Sequence, residues 1–364
     1  MYMGSTDTVR NRPPPRFANR LGHDVCVPVT MRDVARRAGV SVKTVSNVIN
    51  GYRYLRPETR ERVEAAIAEL GYRMNMSARH LRKGQTGMVG LAIPELSLAY
   101  WGEFADMVIT AAEKLDLRVL IELTGGTRAG ALAALESAQR RLTDGLLFSP
   151  LGLEPDEAHL LEVDFPLVLL GERIFGAPVD HVTMRNVEAA RAAVLHLAER
   201  GCRRIATIGA RPDEGMGSAT LRLQGYLQGL EAAGLPFDPA LVVNANPWTR
   251  VTGADALVQL LDAGAEVDGI FAMNDAVALG AMHALHLRRI AVPEQIAVIG
   301  FDDVADAAYY EPPLSSIAAG QQEIAEQAMR LLAERIAGDT SGPRFIEAAF
   351  QLHARESTRR SGLV

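Results

Sequence analysis

The sequence predicts a mainly α/β chain that begins with a small all-α module. Three observations predict this fold. Short apolar stripes at helical spacing fill residues 30–70, and apolar runs alternate with helical patterns from Gly87 to Phe301. At 364 residues and 48% hydrophobic content, the chain can bury two or three separate cores. We therefore expect a helical headpiece followed by two doubly wound parallel-sheet subdomains.

Residues 1–27 are predicted to be a disordered tail. This segment carries four arginines and the run Pro13–Pro15, and it lacks the apolar stretch of a secretory signal peptide. It either adds weak attraction for phosphate or has no function of its own.

Residues 30–50 have the pattern of a helix-turn-helix. In the first helix the apolar face is Met31, Val34, Ala35 and Ala38, and Gly39 follows it. Ser41 can cap a second helix, whose inner face is Val45, Val48 and Ile49. The outward positions of the second helix are small, polar or basic: Val42, Lys43, Thr44, Ser46 and Asn47. Such a helix can enter the DNA major groove, although an ordinary helical hairpin is the alternative.

A third helix is predicted to begin at Pro57 and to end before Gly71. Its buried stripe is Val63, Ala66, Ile67 and Leu70. The following segment, Asn75–Arg82, has one small apolar face but is too short to be a stable helix alone.

Charge divides the chain in the same way. Residues 28–85 contain twelve Arg and Lys against five Asp and Glu, a net charge of +7, whereas residues 86–364 carry −15. A basic module joined to an acidic body is expected when only the module meets a polyphosphate.

From Gly87 onward the elements alternate. The predicted strands are 88–94, 117–123, 145–150, 166–171, 205–209, 241–244, 269–273 and 296–301. The predicted helices are near 100–115, 129–141, 155–162, 187–200, 218–233, 252–263 and 275–287. Two such series predict two subdomains, with a ligand held in the crevice at the carboxyl ends of the strands.

Residues 29–86 resemble the headpiece and hinge of the LacI/GalR family of bacterial transcription repressors. The resemblance rests on Asp33-Val34-Ala35, Ala38-Gly39-Val40-Ser41, Thr44-Val45-Ser46, Val48-Ile49-Asn50, Thr59-Arg60, Gly71-Tyr72, Asn75, Ala78-Arg79 and Leu81. Two positions depart from the family pattern. Met74 stands where Pro is usual, and Leu55-Arg56-Pro57 replaces the Val-Ser pair that commonly precedes the third helix.

The body resembles a periplasmic sugar-binding protein, which is also the effector-core fold of that family. The matching motifs are Asn274-Asp275 with Ala278-Leu279-Gly280-Ala281, Gly300-Phe301-Asp302-Asp303, Pro312-Pro313-Leu314-Ser315-Ser316-Ile317 and Arg355-Glu356-Ser357. The resemblance implies a helix-turn-helix domain at 28–73 and a hinge helix at 74–85. It also implies an N-terminal subdomain at 86–186 with about 321–347, and a C-terminal subdomain at 187–320 with about 348–358.

The expected function is a sequence-specific repressor that binds a pseudo-palindromic operator as a homodimer. Lys43 can donate to guanine, Asn47 can pair with adenine, and Val42 can contact a thymine methyl. The full set of expected DNA-binding residues is Thr30, Ser41, Val42, Lys43, Thr44, Ser46, Asn47, Asn50, Tyr54, Asn75, Ala78, Arg79 and Leu81. Of these, Thr44, Ser46 and Asn50 contact phosphate or are structural. The family resemblance implies that Leu81 wedges between base steps in the minor groove; a linker role is its alternative.

The expected effector-binding residues are Tyr100, Trp101, Glu172, Arg173, Arg222, Trp248, Asp275 and Asp302. Asp275 can accept hydrogen bonds from a ligand or merely from free helix amides, and Arg222 can bind oxygens in pairs or lie on a surface. The Tyr100-Trp101 pair can stack on a sugar ring or a base, or one of the two can be core. A sugar is the favoured effector, and a purine or nucleoside co-repressor is the alternative.

Other classes of protein find little support in the sequence. There is no Gly-x-Ser-x-Gly elbow and no phosphate-binding loop, so an enzyme is not expected. His283 and His286 have no carboxylate or Cys partners that would complete a metal site, and no cofactor is expected. Only Cys26 and Cys202 occur and no run of eighteen apolar residues exists, so we expect a cytoplasmic protein without a membrane span. A small-molecule binding protein without a regulatory role is the competing class.

Overall fold

A computed structural model describes residues 29–49, 52, 54–72, 85–139, 142–211 and 215–360. The chain divides into two compact units, Met1–Met76 and Ser77–Val364. Within the described residues no helix has the length and apolar character needed to cross a membrane.

In its described residues, the first unit contains three helices around a small core. They are α1 (Met31–Ala38), α2 (Val42–Ile49) and α3 (Pro57–Leu70). Thr30 and Asp33 form a capping box at the start of α1, and Gly39 ends that helix in the left-handed conformation at φ 66°. The Ser41 hydroxyl accepts a hydrogen bond from the Thr44 amide at 3.1 Å, which caps α2 as expected.

The apolar stripes predicted for these helices meet in the core of this unit. Val34, Ala35, Ala38, Val45, Val48, Val63 and Ala66 are buried, and Met31, Ile49, Ile67 and Leu70 are partly buried against them. Helix α3 begins at Pro57, and the Arg56 side chain before it makes no capping hydrogen bond. Arg56 therefore does not replace the capping serine that is common in the family at this point.

The described part of the second unit forms two six-stranded sheets. The first is fully parallel, with the order β11-β5-β4-β3-β1-β2. Its strands are β1 (Met88–Ile93), β2 (Arg118–Leu123), β3 (Leu146–Phe148), β4 (Leu167–Leu170), β5 (Asp180–Met184) and β11 (Phe345–Ala348). The helices associated with this sheet are α4 (Ala99–Glu113), α5 (Arg128–Gln139) and α11 (Gln321–Ile336).

The second sheet has the order β12-β10-β9-β8-β6-β7, and only β12 runs antiparallel to its neighbour. Its strands are β6 (Ile205–Ala210), β7 (Val242–Asn244), β8 (Gly269–Ala272), β9 (Ala297–Phe301), β10 (Ser315–Ala318) and β12 (Gln351–His353). The accompanying helices are α6 (Asn186–Glu199), α7 (Ser218–Ala232), α8 (Arg250–Asp262), α9 (Asp275–Leu287) and α10 (Ala305–Tyr309). The chain crosses between the two sheets after β5, after β10 and after β11.

The mixed α/β class and the alternating order are as predicted, but several elements were not predicted. Strands β5, β10, β11 and β12 and helices α10 and α11 are additional. The segment Pro155–Leu161 is a 3-10 helix rather than an α-helix. The predicted tail at 1–27 and most of the predicted hinge lie outside the described residues.

Candidate functional site

A cavity of about 590 Å³ lies where the carboxyl ends of strands from both sheets face each other. Seven of the eight predicted effector-binding residues line it: Tyr100, Trp101, Glu172, Arg173, Arg222, Trp248 and Asp302. This position agrees with the rule that open α/β sheets bind ligands beyond the carboxyl ends of their strands.

An aromatic cluster at the start of α4 forms part of the first wall. The Tyr100 ring lies edge-on to Trp101 at a centroid distance of 4.9 Å and is stacked parallel to Phe104 at 6.3 Å. Phe104 is buried, whereas Tyr100 and Trp101 are half-buried and border the cavity. Burial, together with the nearby carboxylates of Asp302 and Glu172, raises the pKa of the Tyr100 phenol, so this group stays a neutral donor.

Arg222 on α7 is the buried cation of the cavity. Its guanidinium lies 3.6 Å from the centroid of the Phe301 ring, and its Nε donates to Asn186 Oδ1 at 2.8 Å. Its Nη1 donates to the Met273 carbonyl oxygen and lies 3.7 Å from Asp302 Oδ1. Only 3% of the residue is exposed, so the surface role considered for it is wrong.

Asp302 is the buried anion opposite Arg222. It follows β9 directly and has a φ of 108°, a backbone conformation that side chains other than glycine rarely adopt. Its amide donates to the Ile317 carbonyl oxygen at 2.8 Å, which holds this turn. Burial raises the pKa of Asp302 to about 7, although Arg222 opposes that shift. The carboxyl group can therefore change its protonation near neutral pH.

Asp275 was predicted to bind the effector, but it does not line the cavity. It is completely buried as the first residue of α9, and its carboxylate accepts hydrogen bonds from the Val304 amide at 2.9 Å and the Ser316 hydroxyl at 2.6 Å. A Cβ at Gly300 would lie only 2.1 Å from Asp275 Oδ1, so the strand packs tightly against this group. Burial and the neighbouring Asp302 raise the pKa of Asp275 well above its ordinary value.

Glu172 and Arg173 follow β4 and contact residues of the opposite wall. Glu172 is buried and accepts hydrogen bonds from Thr183 at 2.9 Å and from Ser218 on α7 at 2.6 Å. Arg173 donates to the Leu153 carbonyl at 2.8 Å and to the Met216 carbonyl at 3.0 Å. These two adjacent residues therefore hold the walls together on one side of the cavity.

Trp248 follows β7 and belongs to the second wall. Its indole Nε1 donates to the Gly209 carbonyl at 2.8 Å, and the guanidinium of Arg211 lies 5.0 Å from the ring centroid. Arg211, Asn274 and Ser218 also line the cavity and were not predicted. Their positions in the chain could have indicated them, since Arg211 follows β6 and Asn274 precedes α9. The Asn274 side chain also caps α9 by accepting a hydrogen bond from the Val277 amide at 2.9 Å.

The headpiece presents a separate surface. Val42 is 37% exposed, Lys43 and Ser41 are exposed, and Thr44, Ser46 and Asn47 are partly exposed along α2. The first turn of α2 carries no acidic residue. Tyr54 is 87% exposed and stands edge-on to Tyr52 at 5.8 Å. Asn50, Asn75, Ala78, Arg79 and Leu81 lie outside the described residues. Thr30 is exposed, and its hydroxyl bonds to the Asp33 carboxylate in the capping box of α1.

Across the part of the chain that the structure describes, no group of three or more His, Cys, Asp or Glu side chains is arranged to hold a metal ion.

Comparison with protein families gives two matches. Residues 30–75 match the model of bacterial regulatory proteins of the lacI family, and residues 194–358 match a periplasmic binding protein-like domain.

Individual relatives cover most of the chain. The HTH-type transcriptional regulator CelR of Thermobifida fusca is 35% identical over 90% of this chain and 98% of its own length. A LacI-family transcriptional regulator from Sanguibacter keddieii DSM 10542 has a solved structure that is 47% identical, with a TM-score of 0.69 over 75% of this chain and 98% of that one.

Two solved complexes also match. The complex of a transcriptional regulator CelR with cellobiose is 32% identical, with a TM-score of 0.67 over 90% of this chain and 99% of that one. The lac repressor dimer bound to operator and the anti-inducer ONPF is 26% identical, with a TM-score of 0.76 over 91% of this chain and 99% of that one. This chain belongs to the lacI family of bacterial regulatory proteins.

Proposed function

We propose that this regulator binds operator DNA as a homodimer and that a sugar in the cavity controls its operator affinity, most simply as a repressor. The observation that carries the proposal is the pairing of two different surfaces in one lacI-family chain. The headpiece exposes short polar and basic side chains on α2, and the core encloses aromatic rings beside buried, oppositely charged groups.

In this proposal α2 reads base edges in the major groove. Lys43 donates to guanine O6 and N7, Asn47 pairs with adenine, and Val42 contacts a thymine methyl. The other expected contacts go to phosphate or support the helix, and exposed Tyr54 is among them. We retain the hinge proposal for 74–85, in which the helix orders only when two copies pack over an operator centre.

The core supplies the regulatory ligand site. We divide it into one subdomain at 86–186 and about 321–347, and another at 187–320 and about 348–358. A sugar suits a cavity that combines flat aromatic faces with carboxylate and guanidinium groups, because a pyranose ring has an apolar face and a rim of hydroxyls. The relative solved with cellobiose and the relative solved as an operator-bound dimer support this division of labour.

We further propose that the chain is a regulator rather than an enzyme and that it acts in the cytoplasm, where operator DNA is found. The buried charges of the cavity have a binding role here: Arg222 and Asp302 present paired donors and acceptors to ligand hydroxyls.

The experiment that tests the DNA-binding half is operator selection followed by titration at one stated salt concentration. Lys43→Ala should weaken binding by about 1–3 kcal/mol and relax preference at one base pair in each half-site. Lys114→Ala, which removes an exposed lysine of α4's carboxyl end, is the matched control and should bind like the parent.

A uniform loss across all operator sequences in Lys43→Ala would assign this side chain to phosphate. Failure of the parent protein to select any sequence would contradict the proposed function itself.

A further inference from the structure

The turn that follows β9 is held on one side by elements of the second sheet. Its consecutive backbone amides, of residues 302–305, all donate hydrogen bonds. The first three donate to the Ile317 carbonyl oxygen at 2.8 Å, the Ser316 hydroxyl at 3.1 Å and the Asp275 carboxylate at 2.9 Å. These acceptors lie on β10 and at the start of α9, so this part of the core fixes the turn from the second wall.

The last of these amides bonds to the first wall instead. Ala305 N donates to Glu103 Oε1 at 2.9 Å, and Glu103 is a partly buried residue of α4. Glu103 does not line the cavity, although Trp101 and Phe104 of the same helix do. One carboxylate of the first wall is therefore bonded to the same turn that directs Asp302 into the cavity.

Glu103 is also close enough to act on Asp302 through its charge. Burial is the main cause that raises the pKa of Asp302 to about 7; Arg222 opposes the rise, and Glu172 and Glu103 add to it. Glu103 thus acts on Asp302 both through a hydrogen bond to its turn and through charge. The substitution Glu103→Gln keeps an acceptor oxygen and removes the charge, so it separates these two effects.

Two further hydrogen bonds join the walls through other elements. The Ser218 hydroxyl donates to Glu172 at 2.6 Å, and Arg173 donates to the Met216 carbonyl oxygen at 3.0 Å. These bonds, like that of Glu103, are made between groups of the protein itself. Loss of one of them should therefore weaken the joined arrangement of the walls without unfolding the core. The loss at Glu103 should be measurable, because a hydrogen bond to a carboxylate is stronger than one between neutral groups.

We propose that Glu103 is a positioning residue of the regulatory site, and that its bond to Ala305 keeps the Asp302 turn against the first wall and so holds the two walls together. This inference rests on the proposed function, because it names a residue that controls the arrangement of the same site. An effector held between both walls binds in proportion to the population in which the walls are joined. Glu103 therefore sets effector affinity without touching the effector.

The tryptophans of the chain report the separation of the walls. The sequence contains two, and Trp101 borders the cavity from the first wall whereas Trp248 borders it from the second. Acrylamide quenches indole fluorescence on contact, so its quenching constant should rise when the walls move apart. This measurement uses the full-length protein and needs no label and no effector.

The first variants change the acceptor. Glu103→Ala should raise the quenching constant, and should lower affinity for the best-binding saccharide of glucose, galactose, cellobiose, maltose and lactose, each by about threefold. Glu103→Gln should restore the parental quenching constant, because its amide oxygen still accepts from Ala305. Glu113→Ala is the matched control and should behave like the parent, since Glu113 is an exposed carboxylate at the other end of α4.

A second variant removes the donor and leaves Glu103 in place. Ala305→Pro deletes the amide hydrogen at the first position of α10, where proline is well tolerated. The preceding Val304 is extended, with φ −62° and ψ 153°, as a residue before proline requires. Ala305→Pro should match Glu103→Ala in quenching, and the double variant should show no further increase, because both changes remove the same bond.

Parental quenching in both Glu103→Ala and Ala305→Pro would overturn the inference. An equal rise in Glu103→Gln and Glu103→Ala would also overturn it, because the bond that Gln keeps would not be the cause. A parent protein that binds none of the saccharides would instead contradict the sugar-responsive function, and the quenching constants would then decide the role of Glu103 by themselves.

Discussion

Two neighbouring strands of the second sheet end in aspartates that have different surroundings. Asp275 follows β8 as the first residue of α9, and Asp302 follows β9 directly. Both are almost fully buried, and burial raises the pKa of each. Asp302 turns into the cavity beside Arg222, whereas Asp275 bonds to Val304 and Ser316 behind the cavity wall.

The difference lies in the backbone after each strand. At Asp275 the chain enters a helix, and the side chain points toward the segment that follows β9. There it accepts hydrogen bonds from the Val304 amide and the Ser316 hydroxyl. At Asp302 and Asp303 the chain takes positive φ values of 108° and 56°. Two residues near the C-terminus stabilise this strained turn, because the Asp303 carboxylate lies 2.6 Å from His353 Nδ1 and 2.7 Å from Arg355 Nη1. Such strain is common where a side chain must be aimed at a ligand.

The largest expected effect comes from Arg222→Ala, which removes the partner of Asp302. We expect effector affinity to fall by about 2–5 kcal/mol, because a buried charge pair loses one member. Operator binding without effector should persist. The measurement is calorimetric titration with the best-binding saccharide, and Arg191→Ala, an exposed arginine of α6, is the control. Parental affinity in Arg222→Ala would place the site elsewhere.

The second effect separates the two aspartates. Asp275→Asn should lower the free energy of unfolding by about 1–3 kcal/mol, because an amide cannot accept both hydrogen bonds that the carboxylate accepts. Effector affinity of the folded variant should stay within about twofold of the parent. Thermal unfolding and titration measure the two quantities, and Asp255→Asn, on the exposed face of α8, is the control. A variant with parental stability and no effector binding would return Asp275 to the ligand site.

The third effect is the pH dependence of Asp302. Its pKa is about 7 in the folded chain, above the ordinary value of 3.8, so this group lowers stability as pH rises from about 4 to about 7, and its effect is constant above that. Effector hydroxyls that donate to the carboxylate favour its ionised form. Effector affinity should therefore fall by up to about tenfold for each pH unit below 7.

Titrations at about pH 5.5, 7 and 8.5 measure this dependence, and Asp302→Asn should abolish it because an amide does not titrate. The same slope in the variant would assign the pH dependence to another group.

The position of the cavity is predictable from the sequence, because the end of an apolar run marks the end of a strand. Tyr100, Glu172 and Asp302 each follow a strand or lie in the first turn of a helix at that edge, and the structure brings them together with Arg222 of α7. The sequence does not distinguish Asp275 from Asp302, since the direction of a carboxylate depends on whether the next residues are helical. Asn274 belongs to a matching family motif but was not predicted to bind the effector, for the same reason.

The unpredicted strands also have a physical explanation. Strand β5 reads Asp-His-Val-Thr-Met and β12 reads Gln-Leu-His, so neither contains an apolar run. Asp180 in β5 is nonetheless buried, because Arg335 and Arg344 both donate to its carboxylate at 2.9 Å. Such pairing comes from residues about 160 positions away and is invisible to local patterns.

The most direct test of the account is operator binding by the full-length protein with and without the best-binding saccharide, measured by fluorescence anisotropy at one salt concentration. The parent and Asp275→Asn should both change operator affinity when the saccharide is added, whereas Asp302→Asn should bind operator and lose most of that response. Loss of the response in Asp275→Asn with a full response in Asp302→Asn would contradict the assignment of Asp302 to the regulatory site.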